Sequence, residues 1–282
     1  MFDDPNLVSS AGLVPLLGLA DRAGLRELVA EHLTVPTDKG ANAGLKVASL
    51  VAGMLTGADS IDDMAVLRHG GMSRLFARAY APSTLGSFLR TFTFGHIRQL
   101  DAIASRFLLV LAELTGLAAD TADTAAPGLD QARGYALVDV DDTVVEVHGH
   151  AKQGAGFGYN QIRGLNALLA THTTGSGPAG PVIVAQRLRK GACNSSRGAK
   201  RLIGDATKTA RRLLGRDHLV LVRMDSAFYG RGPVHAALSG GAAVSVTVRM
   251  NAQIRAAIAS IGDQAWTSIE YTDAIYEEAT GR

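Results

Sequence analysis

Two strand-like runs of this chain carry carboxylates. The first is Ala136-Leu-Val-Asp-Val-Asp-Asp-Thr-Val-Val-Glu-Val-His148, which holds Asp139, Asp141 and Asp142; the second, Leu219-Val-Leu-Val-Arg-Met-Asp225, ends on one. An ionised carboxylate in an apolar strand costs free energy unless it holds a metal or takes part in chemistry. The two-residue period of a strand puts Leu137, Asp139, Asp141 and Thr143 on one face and Val138, Val140 and Asp142 on the other. Mg²⁺ takes oxygen ligands and keeps several waters, so a carboxylate or two plus substrate phosphates completes its shell. A pair of such ions roughly 3.5–4 Å apart activates the attacking oxygen and stabilises the leaving one in phosphoryl transfer. Asp141, near mid-strand, and Asp225, at a strand end, meet at such a site if their strands are neighbours. Asp139 and Asp142 read as strand acids facing water.

A second chemistry is signalled by charge. Between positions 187 and 216 stand Arg187, Arg189, Lys190, Arg197, Lys200, Arg201, Lys208, Arg211, Arg212 and Arg216, against one acid, Asp205. Leu202, Ile203, Ala206, Ala210, Leu213 and Leu214 make the buried stripe of a helix, which leaves the bases outward. Such a surface fits contact with a nucleic-acid backbone, salt-dependent and without sequence readout; an ordinary solvated basic helix is the alternative. Weaker signals resolve simply. Gly154-Ala-Gly-Phe-Gly is not followed by a helix, so it reads as a hairpin or loop rather than a nucleotide cradle. His148 and His150 lack a third ligand at zinc-site spacing and read as surface histidines. For Asn160 and Arg163, after Tyr159, position alone does not decide whether they contact a substrate.

The elements that must position these residues follow from periodicity. Residues 1–116 read helical: apolar residues recur at three and four spacing from Ser10 to Ala30, from Leu45 to Leu55 and from Ile97 to Leu117, and Pro82-Ser-Thr-Leu opens another helix. Residues 117–133 are small and polar, a linker. From 134 onward strands dominate: 136–148, about 164–173 and 181–188, then a helix at about 198–214, a strand at 219–224, a helix at 232–239 and a strand at 243–249. The order βββαβαβ predicts an α/β fold, the mixed sheet of ribonuclease H-like domains, whereas strict βαβα alternation would predict a Rossmann-type sheet. Trp266-Thr-Ser-Ile-Glu-Tyr starts one more strand, and no closing helix follows, so the sequence is expected to be cut off.

Bulk numbers narrow the class. The chain has 282 residues, 47% of them apolar, enough for one large domain or two smaller ones. A formal net charge of +2 gives no global argument for nucleic acid. The single Cys193 excludes an internal disulfide framework and a Cys-rich zinc site. The start, Met-Phe-Asp-Asp-Pro, lacks the basic region of a signal peptide, and no uncharged apolar run reaches the roughly 18 residues that span a bilayer. The expectation is a soluble, cytoplasmic protein with no membrane partner.

Four motifs, in order, carry a family resemblance. They are Asp139-Val-Asp-Asp-Thr-Val-Val-Glu-Val-His-Gly149, Gly158-Tyr-Asn-Gln-Ile-Arg-Gly164, Arg187-Leu-Arg-Lys-Gly-Ala-Cys-Asn-Ser-Ser-Arg-Gly-Ala199 and Arg223-Met-Asp-Ser-Ala-Phe-Tyr229. Together they resemble the bacterial DDE-type insertion-sequence transposases, and the group they look most like is the insertion-sequence family numbered 1380. The resemblance covers nearly the whole chain. It implies that Asp141 and Asp225 are catalytic and bind Mg²⁺ (or Mn²⁺). It also implies cleavage at the ends of a mobile element and strand transfer into target DNA, by attack of water or a 3′-hydroxyl. The partners implied are the terminal inverted repeats, target DNA and further copies of the same chain. The family's third ligand is a Glu on a helix beyond a β-rich insertion. Glu270, Glu277 and Glu278 lie in the wrong context for it, so the final catalytic helix is expected to be missing, the chain to be a truncated transposase, and its metal affinity and site geometry to suffer.

Two other readings stay open. A non-catalytic DNA-binding remnant would keep the helical front domain and the basic helix. A haloacid-dehalogenase-type phosphatase would use Asp139 as nucleophile and Asp141 as acid/base, since Asp139-Val-Asp-Asp-Thr143 matches its Asp-x-Asp-x-Thr motif. That motif ends a strand, however, whereas Val144-Val-Glu-Val continues this one.

Overall fold

The computed structural model describes residues 4–76, 79–117, 135–149, 151–173, 180–215 and 218–266. The chain divides into two compact units, Met1–Thr115 and Gly116–Arg282. Most of the expected linker, the strand expected beyond Trp266, and His150, Arg216, Glu270, Glu277 and Glu278 lie outside the described residues.

In the first unit the helical periodicity yields α1 (Leu13–Arg22), α2 (Leu25–His32), α3 (Ala43–Leu55), α4 (Met72–Leu75), α5 (Pro82–Leu89) and α6 (Phe94–Thr115). The run expected from Ser10 to Ala30 is two helices, because Gly24 takes a left-handed φ of 77° that stops the first. Pro82 opens α5, where its fixed φ suits the first turn and its missing N–H costs nothing. The apolar stripes meet in a core of Leu25, Val29, Leu85, Phe88 and Ile103. Lys46 is buried beside it. Its Nζ donates to the Lys39 carbonyl at 2.7 Å and lies 5.3 Å from the Phe88 ring centroid, a cation–π contact.

The second unit is a mixed sheet with helices. Its elements are β1 (Tyr135–Glu146), β2 (Gly156–Phe157), β3 (Arg163–Thr173), β4 (Val182–Lys190), α7 (Ala199–Leu214), β5 (Leu219–Met224), α8 (Arg231–Ser239), β6 (Ala243–Val246) and α9 (Ala252–Ala259). The strand order is β2-β3-β1-β5-β6, with β4 also on β3. β3 is antiparallel to β1 and to β4, whereas β1, β5 and β6 run parallel. The predicted order through β6 is thus the one found, with the two-residue β2 added and the last predicted strand ending at Val246; the helix α9, which follows it, is not in the predicted order.

One sheet face is covered by α7, which packs on β4, β3, β1 and β5. Gly198 (φ 84°) precedes α7 and Gly215 (φ 94°) ends it. Between them Leu202, Ile203, Ala206 and Ala210 are fully buried, facing Val138, Leu168, Ala170, Val220 and Val222. Each larger aliphatic side chain so buried contributes about 1.5–3 kcal/mol. On the other face Asp141, Thr143, Arg223 and Asp225 are exposed. Among the described residues no helix is long and apolar enough to cross a membrane.

Candidate active site

The parallel ladder between β1 and β5 pairs Asp139 with Arg223 and Val140 with Met224. One residue further along each strand stand Asp141 and Asp225. The two carboxylates singled out by sequence therefore occupy neighbouring positions just past the last ladder pair, on the exposed face. Each is oriented by a backbone N–H. Asp141 Oδ1 accepts from the Asp142 N–H at 2.8 Å, and Asp225 Oδ1 accepts from the Ala227 N–H at 2.9 Å. The second bond caps the short turn Ser226–Phe228, which buried Phe228 anchors in the core.

Behind this pair the Arg223 guanidinium grips Asp139, Nε to Oδ1 at 2.6 Å and Nη2 to Oδ2 at 2.7 Å. That hydrogen bonding raises the Arg223 pKa above its usual value, against the opposing effect of burial. Asp139 is an ion-paired strand acid rather than one facing water alone. β1 continues through Asp141 to Glu146, so Asp139 and Asp141 do not end a strand.

Asp142 departs further from its expected place. Its side chain is only 8% exposed and lies on the α7 side of the sheet. The Asn166 amide donates to its Oδ2, and Arg189 Nη2 donates to the same oxygen at 3.2 Å. Register explains the cluster: Asn166 pairs with Arg189 on β4 and with Val144 on β1, so both Asn166 and Arg189 lie diagonal to Asp142, two residues along the same sheet face. A sequence gives no view of that register, and only the isolated polar Asn166 among apolar neighbours hinted at it. Burial pulls the Arg189 pKa below its usual value, with nearby Cys193 and Asp142 opposing.

The basic segment splits into two groups. Arg187 pairs with Asp205, Arg189 is internal, and Arg211 donates to the Gly241 carbonyl at 2.7 Å. Lys190, Arg197, Lys200, Arg201, Lys208 and Arg212 are exposed. Arg201, Lys208 and Arg212 share one helix face by their spacing of seven and four. Asp205, the acid between them, has its charge balanced by Arg187.

The remaining candidates serve the hairpin. Arg163 donates to the carbonyls of Val147 and Gly149, the latter at 2.9 Å, and Asn160 Oδ1 accepts from the Ile162 N–H at 3.2 Å. His148 is exposed. His172, which sequence reading missed, is fully buried on β3 with Nδ1 3.0 Å from the Leu137 carbonyl. Burial pulls its pKa below the usual imidazole value, with the Leu137 carbonyl and Asp139 opposing.

Residues 1–280 match the family model described as transposase DDE domain group 1. No curated protein matches the chain.

Proposed function

The chain belongs to the DDE transposase domain family, and we propose that it is an insertion-sequence transposase, of the family numbered 1380, with Asp141 and Asp225 as its catalytic metal ligands. One observation carries this reading: the two carboxylates fall at neighbouring positions of β1 and β5, on the exposed face. A strand order of β4-β3-β1-β5-β6 with only β3 reversed among its central strands supports a ribonuclease H-like sheet. The helical residues 1–116 serve DNA binding or assembly, and residues 134–282 form the catalytic core.

The donor set fits Mg²⁺ or Mn²⁺: two hard carboxylates, exposed, each with one oxygen already oriented by a backbone N–H. Such an ion, when bound, supplies Lewis acidity at the scissile phosphate and lowers the pKa of a bound water. The chain's own residues do the rest. Asp141 and Asp225 hold and orient the ligand oxygens, Arg223 keeps Asp139 out of the site, and the stripe of Arg201, Lys208 and Arg212 holds DNA backbone phosphates. The DNA is the element's terminal repeats and then a target, with copies of the chain acting together on it.

The test is nicking of a supercoiled plasmid that carries the element's ends, with Mg²⁺ or Mn²⁺. Loss of nicking in both Asp141→Asn and Asp225→Asn supports the assignment; nicking that persists in either overturns it. A second reading, a non-catalytic DNA-binding form, rests on the basic stripe, which binds phosphates without help from the carboxylates. It predicts DNA retention with no metal-dependent nicking in the wild-type chain. The phosphatase reading needs Asp139 as a nucleophile, and the Arg223 fork disfavours it.

A further inference from the structure

We infer that Arg189 is a positioning residue that locks Asp141 and the β4–α7 loop into one frame; this rests on the reading of Asp141 as a metal ligand. The connection runs through Asp142. Its backbone N–H is the donor that orients Asp141 Oδ1, while its own side chain points to the opposite, buried face. Arg189 and Asn166 hold that side chain from β4 and β3. Rotation of the Asp142 peptide would therefore break a buried ion pair as well as the bond to Asp141.

The same guanidinium also gathers the loop that follows β4. Nη1 donates to the carbonyls of Asn194 at 3.3 Å, Ser195 at 2.8 Å and Arg197 at 2.5 Å, while Nε donates to Asn166 Oδ1 at 2.9 Å. All three guanidinium nitrogens are engaged, in a planar fork that a lysine ammonium does not reproduce. The loop carries the exposed Arg197 and leads straight into Lys200 and Arg201 at the start of α7. One buried side chain thus fixes both a carboxylate of the metal-binding face and the first bases of the phosphate-binding surface. Groups that orient metal ligands in this way change metal affinity or activity by about 10–100-fold when removed.

The test measures Mn²⁺ binding to the full chain by calorimetry without DNA, for wild type, Asp141→Asn, Arg189→Lys and Asn166→Ala. Asn166→Ala is the milder variant, because Arg189 and Asp142 still pair in it. Trypsin cleavage after Arg197 reports on the loop. The expected result is Mn²⁺ affinity about tenfold weaker in Arg189→Lys, a smaller loss in Asn166→Ala, and faster cleavage after Arg197 in both, with native circular dichroism. Unchanged Mn²⁺ affinity and unchanged cleavage in both variants overturn the proposal. A wild-type chain whose Mn²⁺ binding is absent, or survives Asp141→Asn, overturns the metal-ligand reading and the Asp141 half with it. The loop half then stands or falls on the cleavage rate alone.

Discussion

Arg223 closes a two-pronged fork on Asp139 across the β1–β5 ladder, at 2.6 and 2.7 Å. This contact sorts the strand acids. Asp139 has its charge balanced by a residue two positions before Asp225, whereas Asp141 and Asp225 form the next row together. Asp139→Asn should therefore leave metal-dependent nicking within about tenfold of wild type. The pair is partly exposed, at 43% for Arg223 and 34% for Asp139, so its loss should cost no more than about 1 kcal/mol. Nicking rates and urea unfolding of this variant check both statements; a loss as deep as that of Asp141→Asn would make Asp139 a reacting group.

Asp141 and Asp225 pull stability and activity in opposite directions. Two carboxylates at neighbouring cross-strand positions repel, so Asp225→Asn should stabilise the metal-free chain by about 0.2–1 kcal/mol. The substituted amide still accepts the Ala227 N–H, so the turn at Ser226–Phe228 survives. Nicking should fall at least about a hundredfold, the usual scale for loss of a group that stabilises developing charge. Parallel denaturation and nicking assays read both; a variant that is less stable and equally active would contradict the pairing.

The basic stripe on α7 should show in salt dependence. Arg201, Lys208 and Arg212 are exposed, and each phosphate they neutralise adds about 0.9 to the slope of log affinity against log salt. Lys208→Ala with Arg212→Ala should lower that slope by about 1–2 and weaken binding to any DNA sequence alike. Arg211→Ala should leave the slope unchanged, since that side chain is held by the Gly241 carbonyl. Equal effects of the two changes would remove the distinction.

His172 makes a prediction about acid. Its folded-state pKa lies below the unfolded value of 6.5, because burial disfavours the charged ring. The unfolded chain then binds the extra proton first, so stability is full above about pH 6.5 and declines as pH falls from there toward the depressed folded value. His172→Gln should flatten that decline, whatever it does to stability at neutral pH. Unfolding midpoints at several pH values for both proteins provide the measurement; parallel curves would place the proton uptake elsewhere.

Much of this was legible in the residues. The period-two runs named β1 and β5, and the two-residue alternation put Asp139 and Asp141 on the face where they stand. Apolar spacing of three and four located α7 and its inward stripe to within a residue. What could not be read was register. Asp142 reads as a solvated acid in sequence because a single strand pattern shows which face a residue has, not what stands beside it two strands away. Arg187 and Arg189 looked like part of an outward basic surface for the same reason: β4 sets them on the buried face, opposite Leu168 and Asn166. Charge counts along a chain say nothing of which charges the fold has already used.

The glycines give a last case in which type was visible and purpose was not. Gly154, Gly156 and Gly158 read as a loop, yet β2 pairs with β3, and the backbone of Gly191 crosses directly against it. A Cβ on Gly191 would run into the carbonyl oxygens of Gly164 and Gly156, backbone atoms that cannot rotate away. The Gly191 N–H also donates to the Gly154 carbonyl at 3.0 Å, so the three segments are stitched at this point. Gly191→Ala should destabilise the chain by about 1–3 kcal/mol, the usual range for overpacking a filled site. Gly204 supplies the opposite case within α7: it is exposed and a Cβ there meets nothing within 4 Å. Gly204→Ala should stabilise by about 0.4–1 kcal/mol, through helix propensity and a less flexible unfolded chain. Chemical denaturation of the two variants side by side tests the packing directly. Because β4 leads through Gly191 into the loop that Arg189 gathers, Gly191→Ala should also speed trypsin cleavage after Arg197, and Gly204→Ala should not.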